Sequence, residues 1–130
     1  MTLVEVVAAI FVFSIFVVGM FRVLVVARET SDRARDHYVA INLAKNRLER
    51  ARAFDFSQLY LFAEAGTVVD HNGAPTADGR FRRITTVTPI ATNLVEMAIT
   101  VQIKDRFKLQ FGSESEELSS YLANLRPPPE

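Results

Sequence analysis

The stretch Met1–Phe21, MTLVEVVAAIFVFSIFVVGMF, decides how the rest of the chain is read. Glu5 is its single charge. Apolar residues surround the helical wheel without a 3.6-residue stripe, so this is not the surface helix of a soluble domain, which buries one face and wets the other. Val6 to Phe21 are 16 uncharged positions, or 20 when the run is counted back to Thr2 across Glu5. About 20 residues at ~1.5 Å rise cross a hydrocarbon core of ~30 Å. The stretch therefore reads as a membrane helix. The alternative is a cleaved secretory signal, which would end in a small-x-small site before a new domain start. Here the apolar run flows directly into a further helical pattern.

After Arg22 the composition turns polar, yet neither Gly nor Pro occurs before Gly66. His37, Ile41, Ala44, Leu48 and Ala51 recur at helical spacing and form one stripe. Glu29 and Arg33 are an i,i+4 pair in the favourable order. The pattern predicts one helix from Thr2 to about Phe54, roughly 80 Å long. Residues 1–21 are its lipid-soluble part and 22–54 its amphipathic part. Ser14 and Gly19 are weak points, since Gly costs about 1 kcal/mol in a helix interior, and local melting over Ser14–Gly19 stays open.

Residues 55–130 read as a globular head. The segment 55–79 is a connector with turn chemistry at Gly66, Asn72-Gly73, Pro75 and Asp78-Gly79, and Leu59 to Phe62 give it something to bury. Antiparallel strands are expected over 80–125. Arg80 to Thr88 is one, ended by Pro89. Val95, Met97, Ile99, Val101 and Ile103 alternate with polar neighbours in the clearest strand of the chain. Phe107, Leu109 and Phe111 continue the same parity, which favours one long bent strand, or a three-residue loop at Lys104–Arg106, over a two-residue hairpin. Ser113–Leu125 is ambiguous: Ser113 and Glu116 make a capping-box pattern, whereas Glu117–Leu122 reads as a last strand. Pro127-Pro128-Pro129 ends regular structure.

The 130 residues allow one domain with one long appendage, too little for a barrel enzyme. There is no Cys, which excludes disulfides, thiolate zinc sites and thiol catalysis. Lys+Arg and Asp+Glu are 15 each, but the zero net charge hides a gradient. Arg22–Arg52 holds eight basic and four acidic residues, while Ser113–Glu130 holds four acidic and one basic. Those two regions are complementary and suit contacts of Arg50 and Arg52 with Glu114, Glu116 or Glu117 of a neighbour. No catalytic set, phosphate loop or nucleophile elbow is present, and no enzyme activity and no cofactor are expected. Asp70, His71, Asn72 and Asp78 share a loop whose spacing does not match a calcium loop, so they read as turn residues and no metal is expected. Arg80, Arg82 and Arg83 around Phe81 read as a solvated strand edge; no nucleic-acid partner is expected. Asp32 and Asp36 read as ordinary residues of a solvated helix, and His37 as packed on the stripe.

Glu5 is the anomaly. An ionised carboxylate in the apolar part of a membrane segment costs on the order of 3 kcal/mol at mid-bilayer and less near an end. Either it sits at headgroup level, or it needs a positive partner, the nearest being an α-amino group of this chain or of another copy. Met1-Thr2-Leu3-Val4-Glu5-Val6, followed by the apolar run and an amphipathic helix, resembles a mature type IV pilin or pseudopilin. The resemblance covers Met1 to about Phe54, and Ala40–Glu49 is similar to the helix of minor pseudopilins. It implies an α+β fold, a long N-terminal helix packed on a small antiparallel sheet. It also implies a short leader cleaved by a prepilin peptidase, a methylated Met1, and subunits held in the inner membrane. Assembly machinery there would draw them into an extracellular filament or a periplasmic pseudopilus of identical or homologous subunits. Met1, Thr2 and Glu5 would be the assembly site, with Glu5 neutralising a neighbour's N-terminal amine. Leu3, Val4, Val7, Ile10, Phe11, Phe13 and Phe16 would pack the filament core.

The physics suits that use. Burying one large apolar side chain is worth about 1.5–3 kcal/mol. A subunit displaced along the stack would leave the Glu5 carboxylate unpaired, at several kcal/mol. Burial would supply cohesion and Glu5 alignment. The chain departs from many pilins in having no Pro near Arg22 and no C-terminal Cys pair, so the sheet edge would be secured by packing around Tyr121–Leu125. The alternatives are a minor pseudopilin of a type II secretion system, and a single-span membrane protein with a partner-binding head.

Overall fold

The computed structural model describes residues 2–125. One helix, α1 (Leu3–Arg52, 50 residues), leads through a 3-10 turn (Phe56–Phe62) into β1 (Glu64–Val69), β2 (Phe81–Ala91), β3 (Leu94–Lys104) and β4 (Phe111–Ala123). Each strand pairs antiparallel with the next, giving a four-stranded meander in the order β1-β2-β3-β4. The fold is α+β, as expected. The chain divides within α1 into two compact units, Met1–Arg35 and Asp36–Glu130.

In the first unit the helix is unbroken through Ser14–Gly19, so the melting left open above does not occur. The Ser14 hydroxyl donates to the Ile10 carbonyl (2.7 Å) and the Thr30 hydroxyl to the Val26 carbonyl (2.9 Å), which satisfies both polar groups inside the helix. Arg33 donates to Glu29 at 3.0 Å, the i,i+4 pair read from spacing.

In the second unit the last four turns of α1 pack on one face of the sheet through Ala40, Leu43, Ala44, Leu48 and Ala51. The alanines let the helix backbone approach the sheet closely. Facing them are Val95, Met97, Ile99, Val101 and Ile103 of β3, which alternate with half-exposed neighbours along its whole length. Val69, Phe81, Leu59 and Phe62 close the core. The inward face of α1 differs from the apolar stripe: Ile41 is exposed and His37 half-buried, while Ala40 and Leu43 are buried. Asp36 and Arg47, which lie off that stripe, also point inward, their side chains being mostly covered.

Four further expectations are corrected. The 55–79 connector contains β1, which pairs with β2 through a register shift between Glu64 and Thr67; Gly66 (φ 147°) takes the backbone conformation this requires. β2 does not end at Pro89 but runs to Ala91. β1 reaches β2 only as far as Thr85, so Pro89 breaks no ladder bond on that side. β3 and β4 form neither a bent strand nor a three-residue loop but a hairpin joined by residues 105–110, where Asp105 organises the turn. Ser113–Leu125 is strand as far as Ala123, longer than Glu117–Leu122. The triple proline lies outside the described residues.

Candidate assembly site

Helix α1 starts at Leu3, and the Thr2 carbonyl accepts the backbone N–H groups of Glu5 (3.1 Å) and Val6 (3.3 Å). Thr2 is therefore the N-cap residue and Glu5 the third helical position. An acid in the first turn also complements the positive end of the helix dipole. Thr2-Leu3-Val4-Glu5 has the spacing of a capping box, a local signal that reading Glu5 only as a membrane anomaly passes over. Met1, named with Thr2 and Glu5 as an assembly residue, lies outside the described residues.

Around this start the apolar side chains are exposed on every side. Leu3 is 82% exposed and Phe11 and Phe16 67% each, and Val4, Val7, Ile10 and Phe13 are likewise open. The exposed apolar surface runs past Phe21 to Val23, Leu24, Val25 and Val26, interrupted by Arg22. About 24 residues at ~1.5 Å each give ~36 Å of apolar helix, and α1 is long and apolar enough to cross a membrane.

The head carries its charges in pairs that tie α1 to the sheet. Arg80 and Arg106 both donate to Asp36 (2.7 and 3.1 Å). The His37 Nδ1 lies 2.6 Å from Glu116 and its Nε2 3.5 Å from Glu114. Arg83 grips Glu64 through Nε and Nη2 (2.8 and 2.9 Å), Arg47 reaches the same carboxylate at 2.9 Å, and Arg47 also donates to the Phe62 carbonyl and covers its ring at 4.7 Å. Burial alone would raise the Glu64 carboxyl; the hydrogen bond and charge of Arg83 with the charge of Arg47 outweigh it and hold it below the ordinary value. Burial lowers the Arg47 guanidinium, with Glu64 opposing.

These pairs correct the reading of the arginine cluster and of Asp36. Arg83 is buried, Arg80 is paired with Asp36, and Arg82 donates to Gln102 and stacks on Phe111, so the cluster is not a solvated edge. Asp36 is not an idle surface acid. Arg52 donates to Glu49 and Ser120, and Glu114 and Glu116 turn to His37, so part of the helix-to-tail complementarity is used within the chain. The Asp70 carboxylate accepts the backbone N–H groups of Ala74 and Asn72 (2.9 Å each), which holds its pKa below the ordinary value and makes it a turn organiser. Among the described residues no cluster of His, Asp and Glu has the makings of a metal site. The chain was compared with protein-family models, curated proteins and solved structures, and none of them matches it.

Proposed function

We propose that the chain is a structural subunit of a helical filament of the type IV pilus class, held in a membrane by α1 before assembly. The observation that carries this reading is an unbroken helix, apolar on all sides over residues 3–26 apart from Glu5, Ser14 and Arg22, with its one acid a turn from the start. At about 1.5–3 kcal/mol per large side chain, that surface must be covered by something other than this chain's own head. Lipid hides apolar surface but gives Glu5 no counter-charge; a bundle of copies offers both a dry core and neighbouring N-terminal amines. Glu5 then fixes how far each subunit is displaced along the stack, and Leu3, Val4, Val7, Ile10, Phe11, Phe13 and Phe16 hold the bundle together. A minor pilin or secretion pseudopilin is the preferred member of the class, placed in the inner membrane and then in an extracellular or periplasmic filament.

A second reading is favoured by one observation. Glu5 stands in the first turn of α1, where a carboxylate complements the positive end of the helix dipole, so it has work to do in a solitary membrane-spanning protein as well. Glu5→Ala separates the two. In filaments, the variant is inserted normally but not recovered in fibres seen by electron microscopy, and the native chain carries an N-methylated Met1 by mass spectrometry. A native chain that stays monomeric in membranes, with an unmodified N-terminus and indifferent to Glu5→Ala, overturns the filament reading.

A further inference from the structure

The loop joining β3 to β4, residues 105–110, puts apolar side chains where a plain connection would not. Phe107 and Leu109 stand in solvent, 83% and 67% exposed. Leu109 is also held at φ 54°, a left-handed conformation usually left to Gly or Asn. The tip is nevertheless well built. The Asp105 carboxylate accepts the backbone N–H groups of Phe107 and Lys108 (2.8 Å each), and the Leu109 N–H donates to the Asp105 carbonyl at 3.1 Å. Lys104, Arg106 and Lys108 bracket the two apolar side chains. Arg106 and Arg80 share the single carboxylate of Asp36, and with Asp78 and Asp105 counted the surroundings keep an excess of positive charge.

The loop's place in the head matters too. β4 runs from Glu114 and Glu116 beside His37 to Ser120 beside Arg52, so the loop before it lies at the Asp36 end of the head. In the sequence, Asp36 follows Val26, the last residue of the apolar run, by ten residues.

We propose that residues 105–110 form an interfacial anchor for an anionic bilayer: Phe107 and Leu109 enter the headgroup layer while Lys104, Arg106 and Lys108 lie against lipid phosphates. Aromatic and leucine side chains flanked by cations are the chemistry that binds this layer, and each cation near an anionic leaflet adds an attraction that salt screens. Insertion of α1 tethers the head to a bilayer, so a weak contact works at high effective concentration. The anchor rests on membrane insertion of α1 and not on filament assembly.

The chain has no Trp, so Phe107→Trp installs a single fluorescent reporter. The full-length variant is reconstituted into phosphatidylglycerol-containing vesicles and into phosphatidylcholine vesicles, each with and without lipid brominated near the headgroup. Blue-shifted emission and quenching by the brominated lipid are expected in the anionic vesicles. Both are lost at about 1 M salt, where the Debye length is ~3 Å, and in the background of Lys104→Glu with Lys108→Glu. A Leu61→Trp reporter, on an exposed residue of the 3-10 turn, stays water-like throughout. Water-like, unquenched emission at position 107 in anionic vesicles overturns the anchor. So does quenching that is equal in both lipids and indifferent to the charge reversals. A blue shift without quenching by brominated lipid means burial against protein and also overturns it.

Discussion

Replacing Glu64 by Gln should lower the unfolding stability of the head by about 3 kcal/mol at pH 7, a magnitude set by breaking a largely buried ion pair. The substitution keeps size and shape, so no cavity accompanies it. Glu64 receives Arg83 Nε at 2.8 Å, Arg83 Nη2 at 2.9 Å and the Arg47 charge at 2.9 Å. Its side chain is only 16% exposed and that of Arg83 8%. Charge-assisted hydrogen bonds are worth roughly 1.5–3 kcal/mol each. Gln keeps an acceptor for one of the two from Arg83, at the lower strength of a neutral bond, and leaves both guanidiniums without a counter-charge. Arg47 has no slack to give, since its Nε is already buried without a partner.

The full chain in detergent micelles would be titrated with urea, following the near-ultraviolet circular dichroism of its tyrosines. The pH dependence supplies the second arm. The Glu64 pKa is depressed in the folded head, so its share of stability is present above the unfolded carboxylate value, about 4.3, and is lost as pH falls through the folded value. The gap between parent and variant should therefore hold from neutrality down to about pH 5 and close at more acid pH. A difference under about 0.5 kcal/mol at pH 7, the range of an ordinary surface change, would refute the account. A gap that widens in acid would refute it as well.

Met97 is fully buried at the centre of β3, and Met97→Ala should cost about 3 kcal/mol in the same titration. A Cβ at Gly79 would sit 2.3 Å from the Val69 carbonyl oxygen, so Gly79→Ala should displace the end of β1. Its signature is a loss of about 2 kcal/mol or more together with faster hydrogen exchange at Thr76, whose N–H bonds the Val68 carbonyl. Leu109→Gly should stabilise the head by about 0.5–1 kcal/mol, since the side chain is exposed and its φ is left-handed; a loss instead would show that Leu109 packs on the loop.

The parts of this fold that are legible in the sequence are those where residue type and burial agree. β3 announces itself because its five inward positions are all apolar and its outward ones, after Leu94, polar or small. α1 is legible because its first half is apolar on every side but for Glu5, Ser14 and Arg22, and its second lacks any breaker. β4 is hard to read because the alternation is real but its inward positions include Glu114, Glu116 and Ser120 beside Leu118 and Leu122. β1 is short, kinked at Gly66 and placed at the sheet edge, so EAGTVV shows no alternation at all. The assembly residues are legible only as a pattern at the front of α1, because what would cover them is another molecule.

The illegible inward residues share one property. Asp36, His37 and Arg47 on α1 are each half of a pair whose other half lies far along the chain: Arg80 and Arg106, Glu114 and Glu116, Glu64. A charged residue scored singly reads as solvent-facing, and only the fold reveals that its partner arrives from a strand. Their arrangement also has a mechanical meaning. The middle of the inward face is alanine and leucine, chemically uniform enough to slide on the apolar face of β3. The ionic contacts stand before the first of these, at Asp36 and His37, and again among them, at Arg47 between Ala44 and Leu48. Moving α1 along the sheet by one turn, about 5.4 Å, would break all of these at once while costing the apolar contacts little. The alanines thus set how closely the helix approaches the sheet, and the charges set where along it the helix stops.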